Sequence, residues 1–270
     1  MECKNCQNQL NDTAQFCNNC GAKVIENRIT FKQLFLDFST NVLGWDNRYF
    51  ITLKTMIIAP QVILYEYLNG VRKKYVNPFA YFAIGAALST FVYNFHAEQY
   101  VAIAKSDNNP FTSINEKLIP GFNKLPEEKR TKIINDQIKN QENSLRFVVK
   151  YINIIAFISL PLYAFLSFLT YRKPYNYGEH LIMNSYIQGT TSIVSNILFL
   201  IAIYFNPNIF AYILVFVLLF YAYVFGKIYQ LSIWKSIWKT IKFILILIPT
   251  FIITIIISGI IGFLFKVAGF

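Results

Sequence analysis

At 270 residues, with 55% hydrophobic and 17% aromatic side chains, only 14% charged ones and a mean hydropathy of +0.39, the chain is too apolar for a soluble globule. A formal net charge of +11 would suggest nucleic acid as a partner for a polar chain. In an apolar chain it reports loop orientation and anionic headgroups instead, so composition favours the membrane class over a nucleic-acid binder.

The first element is polar and has no apolar h-region, which predicts an N-terminus that stays in the cytosol. It holds all four cysteines of the chain, Cys3, Cys6, Cys17 and Cys20, in a C-x2-C-x10-C-x2-C spacing. Each C-x2-C pair closes a tight turn that offers two thiolates, and a short connection brings the second pair over the first, so four sulfurs enclose one tetrahedral ion. The expectation is a structural zinc with no open coordination position, in a module spanning residues 1–23 that could not otherwise bury a core. Iron in a rubredoxin-like site is the alternative metal. Two disulfides or four unused thiols are the alternatives without metal, and a reducing compartment disfavours disulfides. Gly21, directly after Cys20, suits a turn that needs positive φ. Leu10, Phe16, Gly21 and Lys23, together with the cysteines, resemble the short zinc ribbons that begin many bacterial proteins. Glu2, Asn5, Asn8, Asn11 and Asp12 set against Lys4 and Lys23 make a poor phosphate surface, so nucleic acid is not expected here.

Residues 24–74 read as a linker and two amphipathic helices. Phe31, Leu34, Phe35, Phe38, Val42 and Trp45 recur at three- and four-residue steps. The stretch 49–69 carries Phe50, Leu53, Ile57, Ile63, Leu64, Tyr67 and Leu68, is interrupted at Pro60, and stops at Gly70. Both stretches are expected to lie in the headgroup region or to pack on a membrane bundle, with a small soluble helical core as the alternative. Arg72, Lys73 and Lys74 follow as a basic cluster suited to topology anchoring or headgroup contact.

Five spans are expected in residues 75–270, at about 75–95, 151–171, 181–205, 209–225 and 243–265, from charge-free runs of spanning length. Asn206, Pro207 and Asn208 split the longest run into a hairpin. Lysines and arginines at 72–74, 172–173 and 227–242 share one side, which by the positive-inside rule is cytosolic. The expected location is the inner (cytoplasmic) membrane of a bacterium, with the N-terminus in the cytosol, the C-terminus outside and an extracytoplasmic loop at about 96–146. The fold expected is an all-α polytopic membrane protein of about five transmembrane helices, with a small N-terminal zinc-ribbon module and interfacial amphipathic helices.

Chemistry in such a bundle is sought at its polar residues. Asn184, Gln188, Thr191 and Ser195 fall on one helical face, either as a track for a solute or as hydrogen-bonding glue between helices. Glu179 and His180 stand side by side at the mouth of that span, as a boundary or cap, or as a headgroup contact. There is no phosphate loop, H-E-x-x-H, G-x-S-x-G or paired acidic motif, so no enzymatic activity is expected.

The ribbon, the run "TLKTMIIAPQVILYEYLNGVRKKYVNPFAYF", the stretch Tyr177, Glu179, His180, Leu181, and "YQLSIWKSIWKTI" together resemble an uncharacterised bacterial family of multi-spanning membrane proteins with an N-terminal zinc ribbon. The resemblance implies the architecture above and no assigned activity. The partners expected are the lipid bilayer and a protein that binds the ribbon. The function expected is a membrane-anchored adaptor or regulator, with a permease or lipid-handling transporter as the alternative.

Overall fold

The structure, a computed structural model, describes residues 1–11, 13–24, 30, 32, 48–105 and 125–249. The expected stripe of Phe31 to Trp45 and the last expected span beyond residue 249 lie outside the described residues. The chain divides into two compact units, Met1–Trp45 and Asp46–Phe270.

In the first unit, two knuckles repeat the same hydrogen bonds. The Cys3 N–H donates to the Asn8 carbonyl (2.9 Å), as the Cys17 N–H does to Ala22 (2.8 Å). The Gln7 N–H returns to Cys3 (2.8 Å), as the Gly21 N–H does to Cys17 (2.9 Å). Isolated antiparallel bridges, Glu2 with Gln9 and Phe16 with Lys23, hold each hairpin. The residue after each second cysteine is left-handed, Gln7 at φ 61° and Gly21 at φ 71°, so the conformation expected of Gly21 is found and Gln7 adopts it against its side chain. Leu10, Cys3 and Cys17 form the small core, against which Ala22 and Val24 pack.

The described part of the second unit is helical. Helices α1 (Arg48–Ile58) and α2 (Pro60–Leu68) are separated where Pro60 lacks an N–H. α3 (Pro78–Phe95) opens on Pro78, with the Asn77 side chain accepting from the Phe79 and Ala80 N–H groups. α4 (Ala97–Ala104) and α5 (Glu127–Lys150) follow, α5 starting after Pro126 with Glu127 and Glu128 in its first turn. α6 (Ile152–Tyr171), α7 (Tyr177–Tyr204) and α8 (Ile209–Ile228) come next. Residues 233–249 form α9, helical to the end of the described segment.

Among the described residues, three helices are long and apolar enough to cross a membrane: α6, α7 and α8. α3, the first expected span, is not one of them. Its 18 residues extend roughly 27 Å at the α-helical rise, against a hydrocarbon core of about 30 Å, and Tyr81, Ser89, Tyr93 and Asn94 dilute its apolar character.

α7 sits at the centre. Half of its apolar window is buried, compared with 22% for α6 and α8, which turn Ile158, Phe165 and Leu219 outward. α3 runs alongside α7 in the same direction, with Tyr81 meeting Thr190 (3.0 Å between hydroxyls) and Tyr93 stacked on Phe199 at 4.4 Å. The two helices approach closely because Gly85 faces Gly189. A methyl group built on Gly85 would lie 3.0 Å from the Gly189 carbonyl, and one on Gly189 would lie 2.6 Å from the Tyr81 ring.

α1 and α2 pack on the end of this bundle: the Tyr65 hydroxyl donates to the Ile228 carbonyl (2.6 Å) and Tyr223 donates to that of Ile58 (2.7 Å). Phe50, Ile57 and Ile58 remain exposed on the outer face of α1. α9 folds back on α8, where Ser236 donates to the Ala222 carbonyl (2.6 Å) and Phe243 stacks on Tyr221. The Arg146 guanidinium ties α5 to Glu98 of α4 (2.7 Å), and Lys105 pairs with Glu142 (2.9 Å).

The Gly189→Val variant forces its branched side chain into the Tyr81 ring, and overpacking of this kind costs roughly 1–3 kcal/mol. Thermal unfolding of the detergent-solubilised protein should show a clear drop in Tm; an unchanged Tm would mean that the α3–α7 contact is not tight.

Candidate metal centre and buried polar network

The four cysteine sulfurs lie within 4.8 Å of one another. Cys3 and Cys20 are 3.7 Å apart at sulfur, and Cys6 and Cys17 are 3.6 Å apart. A tetrahedron of sulfurs about 2.3 Å from a central zinc has edges of about 3.8 Å, so the arrangement fits that ion, whereas a disulfide needs about 2.05 Å. All four cysteines are free thiols. Their protons are unequally held. The Asn5 side chain, then the Ala22 N–H and the Cys6 thiol, draw Cys20 down to about 6. Cys6, although the Asn8 N–H works to lower it, is pushed up to about 11 by its neighbouring thiols and burial. Four sulfurs this close cannot all be thiolates without a cation between them. Backbone N–H groups help to orient them, that of Cys20 lying 3.5 Å from the Cys17 sulfur.

The second cluster lies inside the bundle. Asn184, the first residue of the expected track, is fully buried, and its amide donates to Ser167 Oγ of α6 (2.9 Å) and to the His180 carbonyl (2.7 Å). Its Oδ1 accepts from the Tyr221 hydroxyl of α8 (3.0 Å). Ser167 Oγ lies 3.0 Å from His180 Nδ1, and His180 Nε2 lies 3.0 Å from the Tyr229 hydroxyl, which donates to the Arg172 carbonyl (3.0 Å). Arg172 caps the end of α6, so its carbonyl has no helical N–H partner, and the proton of Tyr229 belongs there. Ser167 Oγ, which also donates to the Ala164 carbonyl (2.9 Å), and the Tyr229 hydroxyl thus flank the two ring nitrogens of His180 and tie α6, α7 and the chain beyond α8 into one buried network.

The adjacent pair Glu179 and His180 is thus divided in role. Glu179 closes a capping box: its N–H donates to Asn176 Oδ1 (3.0 Å), and its carboxylate accepts from the Asn176 N–H (2.7 Å). His180 is fully buried between Phe168 and Phe225 and reaches neither solvent nor a headgroup. The rest of the expected track is less tied. The Thr191 hydroxyl donates to the Gln188 carbonyl (3.2 Å), while Gln188 Nε2 and both amide atoms of nearby Asn196 are buried without a hydrogen-bond partner among the described residues. Ser195 is half-buried and lines a cavity of about 200 Å³ with Ser89, Tyr93, Thr191 and Ser192.

The basic cluster before α3 is largely engaged with its own chain. Lys74 Nζ bonds both Glu66 oxygens (3.0 and 2.7 Å), Tyr75 donates to the same carboxylate (2.6 Å), and the Arg72 guanidinium lies 5.9 Å over the Tyr67 ring. Lys74, then Tyr75, hold the Glu66 carboxyl below its ordinary value. The segment is further pinned by Thr52, which accepts the Val76 N–H (3.1 Å), and by Tyr186, which donates to the Val76 carbonyl (2.7 Å).

Residues 3–24 match the family described as a zinc-ribbon domain. With four clustered thiols inside that match, the N-terminal module is a zinc-ribbon domain with a metal-binding site suited to zinc. Residues 46–90 are similar to a family described as a protein of unknown function, DUF3667, and this match covers α1, α2 and most of α3. No curated protein and no solved structure matches the chain. Within the matched segment, Tyr67, Gly70, Arg72, Tyr75 and Pro78 all take part in fixing the bend from α2 into α3.

Ser167, Tyr221 and Tyr229 were not singled out by the sequence. Ser167 is a lone hydroxyl in an apolar run, and each tyrosine lies far along the chain from the partners that give it meaning.

Three outcomes follow from these geometries. Elemental analysis of purified protein should find one zinc per chain, lost on chelation together with the ribbon fold; a metal-free, folded ribbon would contradict the site. Ser167→Ala leaves His180 Nδ1 and one Asn184 N–H without partners and should cost about 1–3 kcal/mol in unfolding, more than Thr131→Ala on exposed α5. The Glu66 carboxyl has a lowered folded value, so its contribution to stability is present above its ordinary value of 4.5 and is lost as pH falls through the lower folded value. Glu66→Gln should therefore flatten the acid limb of a Tm-against-pH curve, and an unaltered limb would remove the Lys74–Glu66–Tyr75 tie from the account.

Proposed function

We propose that the chain is an integral membrane protein that presents its zinc ribbon at the cytosolic face of the inner membrane, as an adaptor or regulator that recruits a protein partner. The observation that carries this reading is the closed tetrathiolate: four cysteine ligands fill a tetrahedral ion and leave no position for a substrate, so the metal is structural and the module's use lies in its surface. That surface is suited to a peptide. Phe16 is exposed, and a concavity of about 590 Å³ is walled by Met1, Leu10, Ala22 and Val24, with Lys4 and Lys23 at its edge. In the bundle, Asn184 and His180 are joined to neighbouring helices, which suits a scaffold. The basic residues at 72–74, 172–173 and 227–242 support a cytosolic orientation for their end of the bundle.

A permease or lipid-handling transporter is the second reading. It is favoured by one observation, the buried Asn196 amide, which has no hydrogen-bond partner among the described residues and lies on the helix that also lines the 200 Å³ cavity. Crosslinking in cells separates the two readings. An adaptor predicts crosslinked partners that disappear in Cys17→Ser while the protein still inserts, and partners that all survive the loss of zinc would sink it. A transporter predicts a changed phenotype at unchanged abundance when Gln188 and Ser195 are both replaced by Leu.

A further inference from the structure

At the end of the bundle where α6 stops and α9 begins, cations gather without anions. Lys235, Lys239 and Lys242 stand at i, i+4 and i+7 on α9, and residues 226–249 contain no acid. Lys239 is fixed in direction: its Nζ donates to the Thr170 carbonyl (2.8 Å), an orphan acceptor of the last turn of α6, and lies 5.8 Å over the Tyr171 ring. Thr170 is two residues before exposed Arg172, which brings that guanidinium to the same corner. Burial first, then the like charges of Lys242 and Arg172, push the Lys239 ammonium below its ordinary value. The acid at the facing start of α7, Glu179, is engaged in its own cap with Asn176. Arg172, Lys239 and Lys242 have no ion-pair partner among the described residues.

Beside this basic stripe runs an apolar one at the same helical spacing. Trp234 and Trp238 are 75% and 68% exposed, and Ile241 (40%), Leu245 (61%) and Ile248 (49%) continue it along α9. Indoles next to lysines at a helix end, followed by an outward aliphatic face, match the two halves of one amphiphile. A phosphate finds the cations, and acyl chains find the stripe.

We propose that this corner binds one anionic phospholipid, its phosphate held by Arg172, Lys239 and Lys242 and its chains laid along Trp238, Ile241 and Leu245. The inference rests on the reading of the chain as membrane-spanning. It differs from general surface attraction because Lys239 is anchored and Arg172 is contributed by a separate helix end.

The test uses full-length protein in neutral detergent, in a Trp45→Phe background that leaves Trp234 and Trp238 as the only indoles. Their fluorescence is quenched by brominated phosphatidylglycerol or brominated phosphatidylcholine. The proposal predicts half-quenching at a roughly 125-fold lower mole fraction of the anionic lipid, about fivefold for each of the three cations. This preference should fall about 25-fold in Arg172→Gln/Lys242→Gln and persist in full in Lys129→Gln/Lys132→Gln, which removes the same charge from exposed α5. Equal quenching by both lipids, or a preference undiminished in the first double variant, overturns the site. Displacement of the lipid by inorganic phosphate would reassign the corner to a free anion and also overturns it. If neither lipid quenches, the membrane reading beneath the proposal fails with it.

Discussion

An apolar bundle has little water to satisfy the hydrogen-bonding groups it buries, so a polar group inside it costs free energy unless it finds a protein partner, as all but a few on α7 do. That constraint organises the second unit of this chain. Helices meet it for the backbone, and the polar side chains of α7 then have to meet it with one another and with α3, α6 and α8. Asn184 does so with three bonds, to Ser167, to the His180 carbonyl and from Tyr221. His180 does so through both ring nitrogens. Because these bonds reach three helices and the chain beyond α8, they fix how the helices stand together, and the glycine contact between α3 and α7 adds closeness to that fixed arrangement. Lys239 extends the same logic to the end of α6, whose last carbonyls it helps to satisfy.

The two units meet the demands of stability by different means. The bundle buries a continuous core from Met56 and Ile63 on α1 and α2 to Tyr186 on α7 and Phe225 on α8. The ribbon buries little more than Leu10, Cys3 and Cys17, too little for an independent fold, and depends on its metal. Its two hairpins are copies of one design, with Leu10 bonded to Met1 as Val24 is to Gln15.

Local features were legible in the sequence. The cysteine spacing determines the thiol cluster because each knuckle is closed within a few residues, and Pro60, Gly70, Pro78 and Pro126 mark element boundaries because proline and glycine act on the backbone where they stand. The duplication inside the ribbon is hidden in the sequence, since the copies share little beyond their cysteines, Asn5 with Asn19, and an aliphatic residue at Leu10 and Val24. The sequence does not carry the surroundings of His180, because its burial depends on the packing of Phe168 and Phe225 from other helices, while its neighbour Glu179 is half-buried in a cap. The sequence suggests topology anchoring or headgroup contact for the basic cluster at 72–74, and in the structure Lys74 is paired within the chain. Glu66 lies six residues before the cluster and becomes its partner only because α2 turns back at Gly70. Among the described residues, the number of helices fit to span is three, because α3 is short and dotted with hydroxyls and amides.

The central claim is that α7 is the hub whose polar side chains lock the bundle, and hydrogen–deuterium exchange across the full chain in detergent tests it most directly. The account predicts that amides from Asn184 to Asn196 exchange slowest of all, slower than those of outward-facing α6 and α8 and far slower than α4. Exchange in that stretch as fast as in α4 would contradict it, since a helix that opens so readily cannot be the element on which the others are fixed.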